Sequence, residues 1–103
     1  MPFSINVVQY PQLQIVEILS SERTYDVSAI PEVLGLADTA DLQNKPVVIS
    51  HRGAVWLNAA LVAHFKNVAP WVGTYDPNLG AVVVFSKTPE VQAGDIFRLP
   101  VEA

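Results

Sequence analysis

The chain has 103 residues, no cysteine, and a formal net charge of −4, with six Lys and Arg against ten Asp and Glu. One domain, residues 1–103, is the expectation for that length, and the missing cysteine excludes disulfides and thiolate metal sites. Few, scattered cations exclude the broad basic surface that holds long DNA or RNA, so a nucleic-acid ligand must be small or met by a local cluster and backbone amides.

Half of the residues are hydrophobic and 16% are charged. That supports a compact core, but a domain this small buries only a modest share of its surface. A homodimer is therefore expected. No apolar run reaches the length of a membrane span, and the N-terminus lacks a signal-peptide pattern. A cytoplasmic protein without a membrane partner is the expectation.

Phe3–Val8 begins with apolar and polar residues alternating, which suits a half-buried strand. Leu13–Leu19 (LQIVEIL) is rich in β-branched residues and reads as a second strand, joined to the first as an antiparallel hairpin. Ser20–Thr24 is polar loop. Ser28–Leu36 predicts a short helix, with Ser28 as cap, Pro31 and Glu32 in the first turn, and Gly35 helping to end it. Ala37–Lys45 is polar; its Asp38 and Asp41 read as a solvated loop rather than a metal pair.

Pro46–Ser50 is a short continuous apolar strand of the kind buried on both faces. Ala54–Lys66 (AVWLNAALVAHFK) predicts a helix apolar almost all round, hence buried between the sheet and a partner. Trp71–Asp76 predicts a strand parallel to Pro46–Ser50, completing a βαβ unit. Asp76-Pro77-Asn78-Leu79-Gly80 reads as a turn, Gly80–Ser86 as a hairpin-linked strand, and Ile96–Val101 as a final edge strand. The fold class is α/β, a small mixed sheet with helices.

The loop Ser50-His51-Arg52-Gly53 sits where a strand ends and a helix begins. Ligands of open α/β sheets lie beyond the carboxyl ends of parallel strands, and a helix N-terminus favours anions. Arg52 offers a planar fork to phosphate oxygens, and Ser50 a hydroxyl donor. Two readings stand side by side: an anion site, or an ordinary loop with Arg52 in a surface ion pair. Neither GxGxxG nor a Walker pattern is present, which disfavours dinucleotide and NTP sites of those kinds. Asp76 reads more simply as a turn cap than as a base or metal ligand. His64 reads as a hydrogen-bonded core or interface histidine, and Trp56, Trp71 and Tyr75 as core residues rather than base-stacking platforms.

Two segments, VVISHRGAVWL and APWVGTYDPNLGAVVVFS, resemble the small Csx-type CRISPR-associated proteins of type III systems. Those are known as ring nucleases and were also described as manganese-dependent RNA deadenylases. The resemblance covers roughly two-fifths of the chain. It implies a Rossmann-like, CARF-related domain, and a homodimer that sets two Ser-x-Arg-Gly loops side by side to hold cyclic tetra-adenylate. Ser50 and Arg52, with His51 and Gly53 of the same loop, become the ligand-binding set.

Asp76, Asn67, Lys87 and His64 become the catalytic set, with Asp76 as ligand to Mn2+. The resemblance has these groups act on a ring held by another dimer, through head-to-tail stacking into tetramers or filaments. The catalytic half departs from the family: Asn67 and Lys87 stand where it usually carries His, and Asn78 where it often carries Arg. Three activities follow: slow cleavage of the ring to linear oligoadenylate, binding without turnover, or metal-dependent shortening of RNA tails.

Overall fold

A computed structural model describes residues 2–98. The elements run β1 (Phe3–Gln9), β2 (Gln14–Ser20), α1 (Ala29–Asp38), β3 (Val47–Ser50), α2 (Val55–Phe65), β4 (Trp71–Asp76), β5 (Gly80–Ser86) and β6 (Ile96–Phe97). The six strands form one sheet in sequence order. β2, β3 and β4 are mutually parallel; β1, β5 and β6 join antiparallel at the two sides. The strand order shows no reversal of the kind that marks the switch point of a doubly wound sheet.

Alternation along the strands decides the layers. Val16 and Ile18 of β2, Val47 and Ile49 of β3 and Val72 of β4 cluster with Ala29, Val33 and Ala37 of α1 and Leu57, Leu61 and Phe65 of α2. Both helices therefore cover one sheet face. The other face has its own cluster of Leu13, Ile15, Val48, Trp71, Ala81 and Val83, covered in part by Tyr10 and Val91. Val48 is fully buried although it points away from the helices, as a continuous apolar run predicts.

Several expectations change. The helix read as Ser28–Leu36 runs to Asp38. Gly35 lies inside it with open space around it. The helix stops at Thr39, whose hydroxyl and N–H both donate to the Leu36 carbonyl, at 2.7 and 3.0 Å. Ser28 makes no side-chain cap; its hydroxyl and its N–H instead donate to the Asp26 carboxylate. Those two bonds, hydroxyl first, hold the Asp26 carboxyl below its ordinary value of 3.8. The stabilisation they bring is present at neutral pH and fades as pH falls below that value.

Within a single chain α2 is buried along one stripe, Leu57, Leu61 and Phe65, and its far side is the one expected to meet a partner. Val55, Ala59 and Ala63 face outward, since a helix laid on a single sheet face leaves its far side uncovered. The final strand is β6, only Ile96–Phe97; the rest of the expected Ile96–Val101 lies outside the described residues. The parallel β2–α1–β3 connection was not foreseen. It places the end of β2 beside the end of β3.

A buried glutamine ties that connection down. The fully buried Gln14 donates from Nε2 to the carbonyls of Gln43 (2.8 Å) and Lys45 (3.1 Å). Its Oε1 accepts from the Gln43 N–H (2.9 Å) and from Gln9 Nε2 (2.9 Å). Replacing it with an apolar group of similar size removes all four of these part-buried bonds at once. Gln14→Leu should lower the unfolding free energy by about 2 kcal/mol, read as a fall in the urea midpoint. An unchanged midpoint would show that the clamp contributes nothing.

Candidate functional site

Three parallel strands end together. Glu17 of β2 lies beside Ser50 of β3, and Ile49 beside Thr74 of β4, so the loops after β2, β3 and β4 open on the same end of the sheet. A cleft of about 480 Å³ lies there, lined by Arg23 and Tyr25 after β2, Ser50, His51 and Arg52 after β3, and Tyr75 and Pro77 around the end of β4. Its volume falls in the range of small-ligand pockets, about 300–1,000 Å³.

The loop is held in shape from beneath. His51 Nδ1 lies 3.1 Å from the Ile18 carbonyl oxygen, an acceptor only, so Nδ1 donates. Nε2 then accepts from the Tyr25 hydroxyl at 2.5 Å. The same hydroxyl oxygen accepts the Ala54 N–H at 3.3 Å, at the start of α2. The Tyr25 ring is wedged edge-on between Phe3 (5.1 Å) and Trp56 (5.7 Å). The His51 carbonyl accepts from Asn58 Nδ2 at 3.2 Å.

Both nitrogens of His51 are thus committed within the chain. His51 braces the loop, and the exposed Arg52 and half-buried Ser50 are the groups it presents. A Cβ on Gly53 would sit 2.3 Å from the Tyr25 hydroxyl and 2.6 Å from His51 Nε2. Only glycine leaves room for the brace.

Charge in the cleft is mixed. Glu17 and Glu22 line it along with Arg23 and Arg52, so a single cleft carries no excess of cations. Among the described residues the ion pair present is His64 with Asp38. Arg52 belongs to none, which leaves its fork available.

The chain does not bring the expected catalytic residues together. Asp76 lies at the cleft end, between the cleft-lining Tyr75 and Pro77. Its Oδ1 accepts the N–H groups of Asn78 (2.8 Å) and Leu79 (3.1 Å), capping the turn. Gly80 completes that turn with φ +103°. Lys87 is fixed beside the start of β4 by its N–H, which donates to the Pro70 carbonyl at 3.0 Å. Six strand residues separate the two ends by roughly 17 Å.

Asn67 sits just past α2, its amide reaching the Ala63 carbonyl at 3.5 Å. His64 Nε2 lies 3.1 Å from Asp38 Oδ1, at the end of α1. All three are therefore at the end where the parallel strands begin. Among the described residues no three His, Asp or Glu side chains gather closely enough to hold a metal ion.

Tyr25 and Tyr75 carry more of this site than the sequence suggested. Tyr25 lies in a polar loop, and only the unforeseen β2–α1–β3 connection would have placed it near His51. Trp71 is buried and stacks on Phe97 (5.1 Å), and Trp56 packs on Tyr25, as expected of core residues. Tyr75 is 40% exposed at the cleft and is not core.

Tyr25→Phe keeps the ring packing and removes the hydroxyl, leaving His51 Nε2 and the Ala54 N–H without their partner. It should cost about 1 kcal/mol of local stability, read as roughly fivefold faster hydrogen exchange at Ala54. Exchange equal to the wild type would mean the hydroxyl does not hold the loop.

Residues 30–98 match the family described as CRISPR-associated protein (Cas_csx3). An uncharacterized protein of Aquifex aeolicus (strain VF5) is 41% identical over 56 residues, 53% of this chain and 50% of that relative. The match thus spans about half the length of that relative. No helix among the described residues is long and apolar enough to cross a membrane. The family match covers about two-thirds of the chain, from the first turn of α1 through the Ser50–Gly53 loop, α2, β4 and its turn to β6, and the chain belongs to the CRISPR-associated Csx3 family.

Proposed function

We propose that this protein binds cyclic tetra-adenylate across two such clefts, one from each chain of a homodimer, and opens the ring to linear oligoadenylate, ending type III CRISPR signalling. The observation that carries this reading is the placement of Ser50 and Arg52 in one cleft at the joint ends of β2, β3 and β4. One cleft has the size of a small-ligand pocket, so a ring of four nucleotides calls for a pair. The Arg52 guanidinium would grip one phosphate in a planar fork. The exposed Tyr75 ring offers a face on which an adenine could stack. The carboxylates of Glu17 and Glu22 keep the bare cleft near neutral, so affinity rests on local hydrogen-bond geometry rather than on a broad field.

Ring opening needs no outside reactant. A ribose 2′-oxygen attacks the adjacent phosphorus in line, the bond from phosphorus to the 5′-oxygen breaks, and a 2′,3′-cyclic phosphate and a 5′-hydroxyl result. The chain's part is to hold the phosphate so that attacking and leaving oxygens align, and to stabilise charge at the phosphoryl oxygens through Arg52. We assign removal of the 2′-hydroxyl proton to the Asp76 oxygen that the turn does not use, next to the cleft-lining Tyr75 and Pro77, and the 5′-oxygen takes up a proton as it leaves. Asn67, Lys87 and His64 could reach a bound ring only from another, stacked dimer. Binding without turnover is the second reading, favoured by the amides at Asn67 and Asn78 and by the turn that occupies Asp76 Oδ1.

Incubation with cyclic tetra-adenylate, with and without manganese, separates these readings. Linear products support cleavage, unchanged ring with tight binding supports a sensor or sponge, and shortened poly-adenylate with an intact ring supports a tail-trimming nuclease. Asp76→Asn retains an acceptor for the turn but loses the charge. It should bind the ring as the wild type does and cleave it about 100-fold more slowly. Equal cleavage rates would remove Asp76 from the chemistry.

A further inference from the structure

The two edges of the sheet are built differently. β6 is two residues long and flanked by Asp95 and Arg98. Short length and flanking charge are the usual protections of an edge strand. β1 has none of them. It is seven residues long, FSINVVQ, with no charged residue, no proline and no bulge in its regular pairing with β2. Among the described residues no strand covers its outer side. Roughly every other residue of such a strand points its N–H and C=O outward.

Beside that edge, on the helix face, lies a cleft of about 400 Å³ between Ile5 and Val7 on one wall and Thr39 and Ala40 on the other. Ile5 and Val7 pack on the core from this face but remain partly uncovered.

We infer that β1 pairs antiparallel with β1 of a second copy, joining two sheets into one. The occupant is a second copy because the strand is complementary to itself. A two-fold axis at Asn6 sets Ile5 of each copy across from Val7 of the other, on the helix face, where their side chains extend into the paired clefts. Ser4 then lies across from Val8, and Phe3 from Gln9. Asn6 meets its own counterpart, and a residue on a dyad must be uncharged to avoid repelling itself. β1 itself carries no charge in a chain of net charge −4; the nearby carboxylates are Glu17 on the next strand, which accepts from Asn6 Nδ2 at 2.9 Å, and Asp41 in the wall of the cleft. Antiparallel pairing sends the two Ser50–Gly53 loops to opposite ends of the joined sheet, so this contact is separate from the one that would set those loops side by side.

The test uses the wild-type chain without nucleotide; β1 exchange and the Asn6 variants report on this contact, whereas mass alone would not separate it from the dimer of the proposed function. Sedimentation velocity should show mass rising with concentration, and hydrogen exchange at β1 amides should slow at least tenfold over the same range. Asn6→Lys and Asn6→Glu, both at an exposed position, should each weaken association at least tenfold, and an equal mixture of the two should restore it. Circular dichroism checks that both variants fold; Ser4→Lys, also exposed, replaces either that does not. A monomeric wild type, association that survives the variants, or β1 exchange independent of concentration would overturn the inference.

Discussion

β3 is hydrogen-bonded on both sides by parallel neighbours, β2 and β4, and the rest of the molecule follows from that pairing. Parallel neighbours need crossover connections, and here these are α1 and α2. Both lie on one face, because the strand order advances in one direction. The carboxyl ends of all three strands then face the same way, and three loops distant in sequence meet there. Arg23, Arg52 and Tyr75 share a cleft for that reason alone.

Within the cleft the division of labour is set by hydrogen-bond capacity. His51 has two ring nitrogens, and the fold uses both, on Ile18 and Tyr25. Ser50 and Arg52, on either side of it, line the cleft and are the groups we propose for the ligand. On the proposed reading, the mixed set of carboxylates and guanidiniums lining the cleft would make binding depend on geometry rather than on field strength. The second end of the sheet, with His64, Asn67 and Lys87, is chemically separate within one chain. Any shared chemistry between the two ends must come through association of copies.

Much of this was legible in the sequence. The β-branched runs 14–19, 47–49 and 80–85 gave strands in nearly their observed places, and Asp76-Pro77-Asn78 gave a turn capped by its aspartate. The Ser50–Gly53 corner was legible because a strand run meets a helix run there through a glycine. The connection from β2 to β3 was not. Pro31 and Gly35 dilute the helical pattern of α1, and its seating depends on Gln14, a polar residue whose burial no hydropathy pattern signals. The outward stripe of α2 was hidden for the opposite reason. Val55, Ala59 and Ala63 are as apolar as the buried positions, so the pattern could not show which side faced the sheet.

The central claim is that a ring of four nucleotides is held by two Arg52 forks, one from each of two chains. Isothermal titration of cyclic tetra-adenylate into the wild type and Arg52→Ala measures it directly. The account predicts one ring per two chains, and binding at least about 100-fold weaker in the variant, the scale expected when one partner of a charged pair is removed. One ring per single chain, or equal affinity in Arg52→Ala, would contradict it.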